Sequence, residues 1–115
     1  MIFKGENNTN KEKQAFLFVE EEPQGTTRRF VLQGRVSVNE ASVIESKLER
    51  TVQEDCKRII INMSLVDFFS SAGIRVILAM YKKLKKMDGE LKIENPSDNV
   101  KNVIGMVALD ELLLR

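Results

Sequence analysis

The chain has 115 residues, the length of one domain, and its content of 43% apolar and 30% charged residues is typical of a folded globular protein. Eighteen basic and seventeen acidic residues leave a net charge of +1, which argues against nucleic acid or an anionic membrane as the partner. One cysteine and no histidine exclude an internal disulfide framework, the common zinc sites and every mechanism that needs a histidine base. No apolar run has the length of a signal peptide or a membrane span. We therefore expect a soluble cytoplasmic protein without metal or cofactor.

The first part of the chain is polar and has no hydrophobic periodicity. Residues 4–14 combine asparagine, lysine and glutamate without a pattern that a helix or strand would need. We therefore expect residues 1–14 to form a flexible leader and residues 15–115 to form one domain.

Two short apolar runs begin the domain. Ala15 to Val19 and Phe30 to Leu32 are separated by a charged segment in which Pro23 and Gly25 are typical of a turn. This arrangement predicts two antiparallel strands.

A helix is predicted to follow the glycine at position 34. Ser37 and Glu40 have the spacing of a capping box, in which each side chain binds the backbone amide of the other residue. Apolar residues then recur at steps of three and four, which predicts an amphipathic helix with one buried face; they are Ala41, Ile44, Leu48 and Val52.

The next segments alternate between strand and helix patterns. Lys57 to Met63 contains three consecutive isoleucines, which is typical of a central strand covered on both faces. A helix is predicted from about Ala72 to Met87, followed by a strand at Leu91 to Glu94 and an N-cap at Ser97. Its apolar stripe consists of Ile74, Ile77, Leu78, Tyr81 and Leu84.

The end of the chain shows a third, shorter helical stripe. It contains Val100, Val103, Ile104 and Val107, and a last short strand could follow at Leu112 to Leu114. The complete order is β-β-α-β-α-β-α. It predicts an α/β fold in which a mixed β-sheet of about four to five strands is covered on at least one face by three main helices.

The segment from Ser64 to Arg75 joins the central strand to the second helix. We expect Phe68 and Phe69 to anchor it in the core as a loop, so that Ser70 and Ser71 arrive at the helix start. A serine there can cap the helix, or it can carry a phosphate that the helix dipole tolerates. Spacing alone leaves both interpretations open, and neither serine has a histidine that would make it a nucleophile.

From Phe30 to Leu114 the chain resembles a STAS domain of the anti-sigma factor antagonist type. The segment Phe68 to Leu78 is similar to the family's signature, in which a phosphorylatable serine and a glycine open the second helix. The other matching segments, in chain order, are Phe30 to Val36, Arg58 to Ser64, Gly89 to Ser97 and Val103 to Leu113.

Aligning Gly73 with the family's glycine places the phosphoacceptor at Ser71, with Ser70 as the second choice. Ser70 then stands where the family has an aspartate, and Ala72 stands where it has a second hydroxyl residue. Ser37 replaces the acidic residue that follows the glycine of the second strand, and Ala108 replaces a glycine near the end of the third helix.

The resemblance implies a bacterial partner-switching regulator of transcription and not an enzyme. The unphosphorylated protein would bind an anti-sigma factor that is also a serine kinase and so release the sigma factor. Phosphorylation at Ser71 would end this interaction, and a serine phosphatase would restore it. The expected partner-binding residues are Ser37, Ser70, Ser71, Ala72, Gly73 and Arg75.

Two other functions remain open. One is a non-switching STAS scaffold, such as a stressosome-like or transporter-associated subunit, which would carry no phosphate. The other is a small-molecule or nucleotide-binding domain that uses the helix start as an anion site. The segment Ser71 to Arg75 holds a single glycine, which is less than a phosphate-binding loop requires.

Overall fold

The computed structural model describes residues 15–106, which contain four strands and three helices. Their order confirms the predicted β-β-α-β-α-β-α arrangement. The expected helical position Val107, the short strand at 112–114 and the leader at 1–14 lie outside the described residues. The elements are β1 Leu17–Glu20, β2 Thr27–Val36, α1 Val38–Val52, β3 Arg58–Phe69, α2 Ser71–Lys86, β4 Glu90–Glu94 and α3 Asp98–Met106.

The four strands form one mixed sheet in the order β1-β2-β3-β4. β1 and β2 are antiparallel, whereas β2, β3 and β4 run parallel to one another. β3 is an interior strand, and Ile59, Ile60 and Ile61 are all buried, which confirms the prediction from the three consecutive isoleucines. The predicted mixed α/β fold is therefore the observed one.

One apolar core connects the sheet with the three helices. The predicted stripe of α1 is buried along its whole length, from Ala41 to Val52. Ile77 of α2 and Ile104 of α3 belong to the same buried cluster as Phe30 of β2 and Ile61 of β3. Among residues 15–106 no helix is long and apolar enough to cross a membrane.

β3 is longer than the sequence pattern predicted. The segment from Ser64 to Phe69 was expected to form a loop, but it continues the strand and pairs with β2 from Gln33 to Val36. The pairing shifts register on both sides of Gly34, which has a φ of +97° that favours glycine. The prediction failed because the hydrogen-bond partners of this segment lie on another strand, about thirty residues earlier in the chain.

The two phenylalanines at the end of β3 have different environments. Phe69 is 2% exposed and lies in the core, but Phe68 is 38% exposed and stacks against the Arg35 guanidinium, 4.3 Å from the ring centre. Successive side chains of a strand point to opposite faces of the sheet, so only one of the two can face the helices. The expectation that both residues anchor the segment in the core is wrong for Phe68.

Candidate functional site

The starts of α1 and α2 lie side by side at one edge of the sheet. β2 and β3 are parallel neighbours, so their carboxyl ends reach the same edge, and each strand leads directly into a helix. The amide of Ser70 donates a hydrogen bond to the carbonyl of Val36 at 3.0 Å, which holds the two connections together. The structure thus brings Ser37 close to the segment from Ser70 to Arg75.

The start of α1 is satisfied by its own side chains. Ser37 is the N-cap, and Glu40 Oε1 accepts a hydrogen bond from the Ser37 amide at 3.0 Å, as the predicted capping box requires. Glu40 also places a carboxylate in the first turn, where the positive end of the helix dipole stabilises it.

The start of α2 is capped by Ser70. Its Oγ accepts a hydrogen bond from the Gly73 amide at 3.3 Å, and its carbonyl accepts one from Ile74 at 3.1 Å. Ser70 is half-buried, with the extended backbone of an N-cap residue. The capping role that spacing left open between two serines therefore belongs to Ser70.

Ser71 is the first residue of α2, and its surroundings differ from those of Ser70. Its side chain is exposed, and its hydroxyl forms no hydrogen bond with any residue in the range 15–106. The first turn of α2 contains no acidic residue. An exposed hydroxyl therefore lies at a helix start without a negative charge of its own.

Gly73 fixes the distance between this helix start and the sheet. It is buried, and a Cβ atom at this position would lie 3.0 Å from the Phe69 ring and 3.2 Å from Val36. The small residue lets α2 approach β2 and β3 closely. Gly73 thus acts on the site through packing, while Ala72 beside it is half-buried against the edge of the core.

A groove of about 440 Å³ runs between α1 and α2, and on the α2 side its lining begins at Ala72, the residue after Ser71. Arg75 lies on the α2 side and Glu45 on the α1 side, and both side chains are exposed. Arg75 forms no ion pair with any described residue. The other lining residues are mostly small: Val38, Ala41, Ser42, Ala72, Val76 and Ala79.

Sequence reasoning missed the α1 side of this groove. Val38 is 66% exposed although it is apolar and directly follows the Ser37 cap. An apolar residue on the polar face of an amphipathic helix was the available signal.

The groups with shifted pKa values lie away from the two helix starts. Burial raises the pKa of the Cys56 thiol, which is 1% exposed, so this cysteine is not poised as a nucleophile. Hydrogen bonding to Arg28 lowers the pKa of Glu20, and this pair joins β1 to β2. No group of three or more acidic, cysteine or histidine side chains within the described part of the chain could hold a metal ion. The groups with shifted pKa values are thus not part of the candidate site.

The chain is similar to known proteins in sequence and in fold. The model of the STAS domain family matches residues 20–114. BtrV of Bordetella bronchiseptica, named as an anti-sigma factor antagonist, is 33% identical over 72 residues, which are 63% of this chain and 62% of BtrV. The chain thus spans less than two thirds of that relative.

Two solved structures of the anti-sigma factor antagonist SpoIIAA share the fold. The unphosphorylated form has a TM-score of 0.78 and 23% identity, with 85% of this chain and 86% of that chain covered. The phosphorylated form from Bacillus has a TM-score of 0.72 and 22% identity, with 85% and 89% covered. The chain belongs to the STAS domain family.

Proposed function

We propose that this protein is a cytoplasmic anti-sigma factor antagonist that is controlled by phosphorylation at Ser71. The unphosphorylated form binds an anti-sigma factor that is also a serine kinase, and the sigma factor is released. Phosphorylation by that kinase ends the interaction, and a serine phosphatase restores it. The names of BtrV and SpoIIAA support this proposal, as does the existence of SpoIIAA in two phosphorylation states.

The observation that carries the proposal is the division of roles between the two serines. Ser70 caps α2 through its hydroxyl, whereas the Ser71 hydroxyl is exposed and forms no hydrogen bond with the described residues. A phosphate on Ser71 therefore leaves the cap of α2 intact. Phosphorylation can alter the surface without disturbing the fold.

The physical effect of the phosphate is on docking. It adds roughly −1.5 to −2 charges at pH 7 together with three acceptor oxygens. The dipole of α2 favours this charge in the free protein, but a partner that covers the helix start must desolvate it. A cost of about 4 kcal/mol would lower the affinity about a thousandfold. ATP and Mg²⁺ belong to the kinase, so this chain is a substrate and not an enzyme.

The proposed docking surface is the edge where the two helices begin. It comprises the exposed or half-buried residues Ser37, Ser70, Ser71, Ala72 and Arg75, and Gly73 supports it from below. Ser70 is uncharged where the family has an aspartate. A kinase that modifies Ser71 must therefore recognise this surface without a carboxylate at the residue before the acceptor.

Phosphopeptide mass spectrometry of the protein recovered from its own host tests the modification. We expect a single phosphate that maps to Ser71, changes with stress and is absent from Ser71→Ala. The Ser70→Ala variant is the control and should still be phosphorylated. A phosphate that persists in Ser71→Ala and disappears in Ser70→Ala would assign the acceptor to Ser70 instead.

Binding to the anti-sigma factor tests the switch. Ser71→Asp should weaken binding at least tenfold, whereas Ser64→Asp should leave it unchanged, because Ser64 is exposed in a separate cleft beside Asp98. If no phosphate is found under any condition and Ser71→Asp binds the anti-sigma factor normally, the proposed phosphorylation switch is wrong. The protein would then be a STAS scaffold in which the surface serves permanent assembly.

A further inference from the structure

Arg75 lies one helical turn after Ser71. Residues four apart on a helix are neighbours on the same face, with Cβ atoms about 5–6 Å apart. Side chains of a helix lean toward its amino terminus, so a long side chain at position 75 is within reach of a group on Ser71. Both residues belong to α2 and both are exposed.

The charges around Arg75 leave its guanidinium able to bind an added anion. It forms no ion pair with a described residue, although Glu45 lies in the same groove. The first turn of α2 has no acidic residue, and Ser70 adds no charge beside the acceptor. The ion pairs among the described residues are formed by other cations: Arg28, Arg29, Arg58 and Lys83.

We propose that Arg75 binds a phosphate group on Ser71 within the same helix. A guanidinium can donate two parallel hydrogen bonds to phosphate oxygens, and the order of anion before cation along a helix is the favourable one. The pair would also draw Arg75 away from the groove. Phosphorylation would then change the docking surface twice, because it adds an anion and removes the cation that an acidic partner side chain could use.

This inference rests on the proposed function for the presence of the phosphate, but it can be tested separately. Phosphoserine is installed at position 71 by genetic-code expansion, so no kinase is needed. The second pKa of the phosphate is then followed by ³¹P NMR in the full chain. Free phosphoserine has a second pKa of about 6, and a nearby cation lowers it by stabilising the dianion.

Three variants of the phosphorylated protein give the comparison. Arg75→Gln should raise the phosphate pKa by roughly 0.3 to 0.7 relative to the unsubstituted chain, as expected for a charge-assisted pair on a helix. The phosphate pKa in Arg75→Lys should lie between the values of the unsubstituted chain and Arg75→Gln. Lysine keeps the positive charge, but it lacks the planar guanidinium that can donate two parallel hydrogen bonds. Lys82→Gln is the matched control: Lys82 is exposed on the same helical face, but it lies about 16 Å from Ser71 along the helix axis.

The outcomes separate the two proposals. A raised pKa in Arg75→Gln alone supports the pair, even if the host protein carries no phosphate. Equal values in the unsubstituted chain and Arg75→Gln would overturn it, and so would an equal rise in Lys82→Gln, which would indicate a general effect of net charge. Absence of phosphate at Ser71 in the host would contradict the proposed function alone.

Discussion

The starts of α1 and α2 share a sheet edge and a serine N-cap, but they differ in what fills the first turn. At α1, the Glu40 carboxylate binds the Ser37 amide and supplies the negative charge that the helix dipole favours. At α2, Ser70 binds the Gly73 amide, and the first turn holds the exposed Ser71 and no acid. The first turn of α1 already contains a negative charge that the helix dipole stabilises, whereas the first turn of α2 would gain one only if an anion were added. This difference is the reason why we propose a reversible phosphate at α2 and not at α1.

The largest expected effect comes from removing the packing that places α2 beside α1. Phe69→Ala should destabilise the protein by about 3–5 kcal/mol, because it opens a cavity under Gly73 where the ring now lies. Chemical denaturation measures the change. Phe68→Ala is the control and should cost less than about 1 kcal/mol, since it removes one exposed cation–π contact with Arg35. Equal losses in both variants would contradict the assignment of the two faces.

The next prediction separates the two serines. Ser70→Ala should lower the free energy of unfolding by about 1 kcal/mol, because the Gly73 amide loses its acceptor. Ser71→Ala should change it by less than about 0.5 kcal/mol, because the exposed hydroxyl stabilises nothing in the described structure. Urea titration of both variants is sufficient. A larger loss in Ser71→Ala would mean that the capping assignment is wrong.

A smaller effect on stability is expected when the Glu40 carboxylate is removed from the first turn of α1. Glu40→Ala removes the acceptor of the Ser37 amide and the charge in the first turn, at a cost of about 0.5–1 kcal/mol. Glu45→Ala removes the same charge from the exposed middle of α1 and should have a negligible effect. Thermal unfolding of the two variants compares the positions directly, and similar melting temperatures would argue against the capping box.

The smallest effect on stability is expected when a carboxylate is introduced into the first turn of α2. Ser71→Asp should stabilise the protein by about 0.5 kcal/mol at low ionic strength, and the gain should shrink as salt screens the dipole. Ser46→Asp places the same charge in the exposed middle of α1, away from a helix start, and should show no gain. Destabilisation by Ser71→Asp would contradict the view that the fold tolerates phosphate at this residue.

The local parts of this structure were predictable from the sequence. The capping box of α1, the N-cap at Ser97 and the burial of Ile59 to Ile61 depend on residues a few positions apart, and all three are observed. The STAS resemblance, carried by five segments in order, was confirmed by the family match over residues 20–114.

The failures concern contacts between distant parts of the chain. The continuation of β3 to Phe69 depends on hydrogen bonds to β2, and the exposure of Phe68 follows from the face that this pairing assigns to it. The groove containing Arg75 and Glu45 requires α1 and α2 to lie side by side, which no helical periodicity reveals.

The sequence by itself determined the order of the elements, the buried face of α1 and the presence of two serines at the start of α2, because these depend on short-range spacing and side-chain chemistry. The stripe predicted for α2 was only partly right: Ile77 and Leu84 are buried, but Val76 and Met80 are buried in place of Ile74, Leu78 and Tyr81. Only the tertiary structure decided which serine caps the helix and which one is exposed. That choice follows from the hydrogen bond between Ser70 and Val36 and from the close approach of Gly73 to Phe69. Both contacts fix the point at which the chain leaves the sheet, and they depend on residues that the folded sheet brings together.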